Sequence, residues 1–73
     1  MEESFEFRAY SFSELAQLYN PHVHPRTAVR TLQIWIDRYP GLRDRLTGAG
    51  MVQKTRILTP MQVAMIVKAL GTP

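Results

Sequence analysis

Two hydrophobic periods divide the chain. Residues 5–10, Phe5-Glu6-Phe7-Arg8-Ala9-Tyr10, alternate. Phe5, Phe7 and Ala9 fall on one side and Glu6, Arg8 and Tyr10 on the other, which is the period of a short half-buried strand. From Ser11 the period lengthens to that of a helix. Phe12, Leu15, Ala16 and Tyr19 form an apolar stripe over a predicted helix at 11–20. Ser11-Phe12-Ser13-Glu14 reads as a capping box, with the hydroxyl taking the Glu14 N–H and the Glu14 carboxylate reaching back. Tyr10 and Leu15 stand where a hydrophobic staple would hold the entry. Pro21 ends the helix, because the residue before a proline is pushed away from helical angles.

Residues 20–24, Asn20-Pro21-His22-Val23-His24, form a turn, and Pro25 suits the first position of a second helix at 25–39. Ala28, Leu32, Trp35 and Tyr39 line its predicted buried face, with Val29 and Ile36 beside them. Arg26, Arg30, Gln33 and Asp37 recur at steps of four, three and four, so they share a polar face. Pro40-Gly41 breaks the chain. A short helix at 41–48 carries Leu42 and Leu46, and Gly48 and Gly50 stop it. Residues 52–58 read as extended, with Gln53, Lys54 and Thr55 as an exposed tip. Thr59-Pro60-Met61-Gln62 opens a last helix at 60–70 with a second capping box. Val63, Ile66, Val67 and Leu70 are its buried stripe. Lys68 complements the dipole in the last turn, and Gly71 and Pro73 close the helix.

Arg8-x-Tyr10-Ser11-x-x-Glu14-Leu15-Ala16 is echoed by Arg56-x-Leu58-Thr59-x-x-Gln62-Val63-Ala64. Each is a strand end, a cap and a helix, so the two short strands are expected side by side with helices beneath them. The predicted fold is mainly α (α+β). It is a single domain over 1–73 of three to four helices and two short strands, laid out like a winged helix-turn-helix.

Length and charge narrow the function. Seventy-three residues suffice for one domain. The absence of cysteine removes disulfides, thiolate metal sites and cysteine nucleophiles, and fits a reducing cytoplasm. No stretch reads as a signal peptide or approaches the ~20 apolar residues of a membrane span. The net charge of +3 is unevenly spread. Residues 1–14 set Arg8 against Glu2, Glu3, Glu6 and Glu14, giving −3. Residues 15–73 set eight Lys or Arg against Asp37 and Asp44, giving +6. Seven of the nine cations are arginines, whose planar fork suits phosphates and base edges.

Catalysis finds no equipment: there is no Gly-rich phosphate loop, hydrolase elbow or nucleophile–base pair. A substrate-sized pocket is hard to build at this length. The expectation is a protein that is not an enzyme and needs no cofactor. His22 and His24 lack the further ligands of a structural zinc site and read as a loop pair. Trp35, a possible stacking platform for single strands, falls on the apolar stripe and reads as core. Met51 and Met65 read as core gap-fillers, and Met61 lies off the stripe as an exposed apolar contact. Asp37 and Asp44, beside Arg38, Arg43 and Arg45, suggest surface ion pairs worth about 0–1 kcal/mol.

What remains is binding. The first two helices and their turn have the look of a helix-turn-helix, with Ala16 as the small residue of the first helix and Val23 as the apolar turn residue. The second helix would then present Arg26, Thr27, Arg30 and Gln33 to a major groove. Arg reads guanine and Gln reads adenine through paired hydrogen bonds. Lys54 and Arg56 would touch phosphates as a wing. Two departures stand out: the turn is about two residues longer than usual, and His24 holds a cap position that favours Ser, Thr, Asn or Asp.

The ordered set of Tyr10-Ser11, Glu14-Leu15-Ala16, Leu18-Tyr19, Pro21, Pro25, Thr27-Ala28, Arg30, Leu32, Trp35-Ile36, Leu42 to Leu46, Leu58-Thr59-Pro60, Gln62-Val63, Ile66 and Leu70-Gly71 to Pro73 covers nearly the whole chain. It resembles a family of short bacterial proteins, the domain of unknown function 4248. That resemblance implies no particular activity. Members often have Ser at the position of His24. More distantly, the layout resembles the winged helix-turn-helix of mercury-resistance-type regulators and phage excisionases, and Arg56-Ile57-Leu58-Thr59 is similar to their second strand-to-helix signature. The resulting expectation is a small nucleic-acid-binding module for double-stranded DNA in a regulatory or mobile-element role. The alternative is a protein-interaction adaptor, resting on the acidic N-terminal segment and on Met61.

Overall fold

A computed structural model describes residues 5–52 and 55–73. Among these residues are four helices and a two-stranded sheet: β1 (Tyr10–Ser11), α1 (Phe12–Tyr19), α2 (Pro25–Arg38), α3 (Leu42–Gly48), β2 (Ile57–Leu58) and α4 (Pro60–Leu70). The sheet is antiparallel, with Tyr10 opposite Leu58 and Ser11 opposite Ile57. The Phe12 N–H extends the pairing by donating to the Arg56 carbonyl at 2.7 Å.

The alternating segment 5–10 becomes strand only at Tyr10. Of its two sides, the one with Tyr10 supplies the buried residue, while Phe7 and Ala9 are exposed. Residues 5–9 instead wrap around Tyr10. Phe5 stacks on its ring at 5.4 Å, its hydroxyl donates to the Glu6 carbonyl, and the Arg8 guanidinium lies 3.8 Å over the ring centre. A single aromatic anchor has replaced a ladder, because β2 offers just two residues to pair with.

At α1 the Ser11 hydroxyl accepts from the Glu14 N–H at 3.0 Å. The reciprocal half of the expected box is not formed. The Glu14 carboxylate turns to Arg8, 3.3 Å away. At α4 the box is complete: Thr59 Oγ1 accepts from the Gln62 N–H, and Gln62 Oε1 accepts from the Thr59 N–H. Two proline-started helices follow their predicted beginnings, α2 at Pro25 and α4 at Pro60. Gly41, at φ 78°, turns the chain into α3, a left-handed conformation that other residues adopt at a cost.

Leu15, Ala16, Ala28, Leu32, Ile36, Leu42, Leu46, Leu58, Val63 and Ile66 are fully enclosed. Helix α1 packs mainly on α2, and Ala16 is fully enclosed on α1. The buried face of α2 is Ala28, Leu32 and Ile36. It is rotated from the predicted one: Tyr39 is exposed, and Trp35 sits at the margin, edge-on to Tyr19 at 6.0 Å. Val23 is exposed, so the turn has no apolar anchor of the kind expected. Residues 21–24 of that turn are all exposed, and Pro25 begins α2. Met51 is buried, Met65 half-buried and Met61 largely exposed. No helix among the described residues is long and apolar enough to cross a membrane.

Candidate functional site

The outward face of α2 is created by its own periodicity. Once Ala28, Leu32 and Ile36 turn inward, Arg26, Thr27 and Arg30 must point to solvent, and all three are exposed. Arg26 and Arg30 lie four residues apart, about 6 Å between their Cβ atoms. Neither has a carboxylate partner among the described residues, and nor does Arg56. The other described ion pairs engage Arg8 with Glu6 and Glu14, and Arg43 with Asp37.

His24 caps this helix. Its Nδ1 accepts from the Arg26 N–H at 3.1 Å. The unusual residue therefore does the work of a side-chain oxygen. Both histidines are exposed. No cluster of three or more metal-ligating side chains occurs among the described residues.

Arg56 comes to the flank of α2 across an open, mostly apolar groove of about 380 Å³. Val29 and Gln33 form the helical wall, and Thr55 and Arg56 the opposite one, with Ser11, Phe12 and Ser13 completing it. Arg56 and the α2 residues Val29 and Gln33 thus line one groove. Lys54, expected beside Arg56, lies outside the described residues.

Gln33 is engaged within the protein. Its Oε1 accepts from Arg43 Nη2 at 2.7 Å, and Arg43 Nε donates to Asp37 Oδ1 at 2.8 Å. The two-bond contact to adenine that the sequence suggests would have to share that oxygen with Arg43. Arg43 is the residue that sequence reasoning missed at this site. It was legible as a neighbour of Asp37 in an ion pair, but nothing local revealed that the Pro40-Gly41 turn folds it back onto α2. Asp44 makes no such pair among the described residues.

Between α2 and α3 the same residues border an open cleft of about 550 Å³, lined by Gln33, Asp37, Arg43, Thr47, Met51 and Val52. Among the described residues that line it there is no nucleophile–base pair. A smaller cleft of about 200 Å³ carries Arg45 and Lys68 beside Tyr39. Both cations sit in the last turns of their helices, where the helix dipole already accounts for them.

The whole of this architecture lies within one family match. The chain belongs to the family described as Domain of unknown function (DUF4248), which matches residues 6–73. No curated protein and no solved structure matches the chain. The match extends from the Tyr10 anchor to the end of α4, so both faces of this DUF4248 domain are family territory. The family description assigns no activity to either.

Proposed function

We propose that this DUF4248 domain is a small DNA-binding module that docks the N-terminal half of α2 on duplex DNA. One observation carries the reading: Arg26 and Arg30 project together from α2, exposed and without carboxylate partners among the described residues. Unpaired guanidinium groups one turn apart on a packed helix suit phosphate oxygens or a guanine edge. Thr27 lies beside them on the same helix, and Arg56 lines a groove whose helical residues are Val29 and Gln33 of α2. Order along the chain fits the winged helix-turn-helix layout, with α1 and α2 as the helix pair and the β2 approach as the wing. That likeness is one of layout alone.

The test is titration of a labelled duplex with the intact chain at several salt concentrations. Phosphate binding makes the logarithm of affinity fall linearly with the logarithm of salt, by about 0.9 per phosphate neutralised. Arg30→Ala should weaken binding about tenfold, the loss of one charged hydrogen-bonding group, with the melting temperature unchanged. Absence of wild-type binding at about 50 mM salt would end this reading.

A further inference from the structure

Arg43 is held in a way that surface arginines ordinarily are not. A guanidinium has five N–H donors in a rigid plane. Asp37 Oδ1 and Gln33 Oε1 accept from Nε and Nη2, which together form its side edge. Both acceptors come from α2, four residues apart, and the arginine comes from α3. The planar group is therefore fixed at two points across a helix–helix junction. Its end edge, formed by Nη1 and the second Nη2 hydrogen, has no partner among the described residues. Arg43 is about one-third exposed, with a side-chain accessibility of 31%, and lines the open 550 Å³ cleft.

Gln33 and Asp37 continue the row begun by Arg26 and Arg30, at the same four-and-three spacing. The guanidinium seated on them is thus the third cation of that row, supplied by another helix. Resting on the DNA-binding reading, we propose that Arg43 is a pre-oriented phosphate clamp, positioned by Gln33 and Asp37, that grips the backbone of the bound strand beyond Arg30. Two parallel N–H groups match two phosphate oxygens. Prior fixation of the plane reduces the side-chain freedom lost on binding. The clamp contacts backbone, so its contribution is independent of base sequence. Gln33 acts through Arg43 and does not read a base.

The experiment uses the intact chain, a labelled duplex of arbitrary sequence, and the variants Arg43→Lys, Gln33→Ala and the two combined. Arg43→Lys keeps the charge but loses the fork, and should weaken binding about tenfold. Gln33→Ala changes no charge, and should weaken binding about threefold on every duplex. In the Arg43→Lys background, Gln33→Ala should have no further effect, because there is no oriented plane left to lose. Melting temperatures within a few degrees of wild type exclude unfolding as the cause. Wild-type affinity in both single variants overturns the clamp alone, provided Arg26 or Arg30 substitutions still weaken binding. A Gln33→Ala loss confined to one duplex sequence, or undiminished in the Arg43→Lys background, overturns the positioning role. No binding by the wild-type chain overturns the clamp together with the reading beneath it.

Discussion

Tyr10 and Leu58 are cross-strand partners, both buried, and they occupy equivalent positions in the repeated strand–cap–helix pattern of the chain. In an antiparallel pair, opposing equivalent residues places a local two-fold axis between them. Ser11 with α1 and Thr59 with α4 then leave the sheet in opposite directions. One local solution, used twice and paired with itself, closes the N-terminal half of the chain on the C-terminal half.

This pair should be among the most sensitive in the protein. Leu58→Ala removes an enclosed side chain beneath the ladder and should cost about 2–5 kcal/mol. That is a large part of the stability of a domain this small, roughly 5–10 kcal/mol. Tyr10→Phe keeps the ring and removes only the hydroxyl's bond to the Glu6 carbonyl, about 1 kcal/mol. Urea unfolding followed by circular dichroism measures both. A Leu58→Ala cost no larger than that of Tyr10→Phe would mean that the sheet does not anchor the core.

The four helices were readable because their signals are local. Pro25 and Pro60 start helices, Gly41 turns into one, and Thr59 with Gln62 forms the box that its spacing predicts. What failed depended on partners distant in sequence. The alternation of Phe5 to Tyr10 is a genuine strand pattern, but a ladder needs a second strand of equal length, and β2 has two residues. The polar face of α2 was legible from spacing alone. That Gln33 is engaged was not, because its partner Arg43 lies ten residues onward, beyond a turn. Likewise Glu14 fits a capping box, yet Arg8 outcompetes the backbone for its carboxylate.

Tyr19 gives the fold a defined alkaline limit. Its hydroxyl donates to the Gly71 carbonyl, tying the end of α1 to the end of α4, and burial pushes its ionisation from 10.0 up to about 12. The unfolded chain loses this proton near pH 10, whereas the folded chain keeps it. Between those values the unfolded state binds fewer protons, so stability falls as pH rises. The contribution is fully present below pH 10 and lost through about pH 12. Tyr19→Phe should flatten this part of the stability–pH profile relative to wild type. Phenolate absorbance should show one tyrosine titrating late in the wild type and absent from the variant. Identical stability slopes above pH 10 would count against the tether.

Gln62 is the one buried polar side chain, apart from tyrosine, among the described residues, and both its oxygen and its nitrogen have partners. Its oxygen accepts from Thr59, and its Nε2 donates to the Ala49 carbonyl at 2.9 Å, joining the start of α4 to the exit of α3. Gln62→Glu should preserve the first bond and turn the second into an acceptor facing an acceptor. The expected cost is about 2–3 kcal/mol at neutral pH. Part should return on acidification, as the protonated carboxyl again donates to Ala49. Thermal melting of the variant and wild type at neutral and acidic pH measures the difference. A cost that does not shrink at low pH would show that the Ala49 bond is not what was lost.

His24 allows stability and binding to be separated at one position. Its ring nitrogen caps α2, but Asn and Asp are stronger caps because their short side chains place an oxygen against the same N–H. His24→Asn and His24→Asp should each stabilise the domain by about 0.5–1 kcal/mol, a rise in melting temperature of roughly 4–8 °C per kcal/mol at this size. Asp should gain slightly more from the positive end of the helix. Their effects on DNA should diverge. Asn adds no negative charge at the α2 N-terminus, so affinity should stay near that of wild type. Asp places a carboxylate two residues from Arg26 and on the side of the helix proposed to meet phosphates, so affinity should fall several-fold at low salt and recover relative to wild type as salt rises. Duplex titrations of both variants, read against their melting temperatures, test this. Equal affinities for the Asn and Asp variants at low salt would remove the start of α2 from the interface while leaving the cap intact.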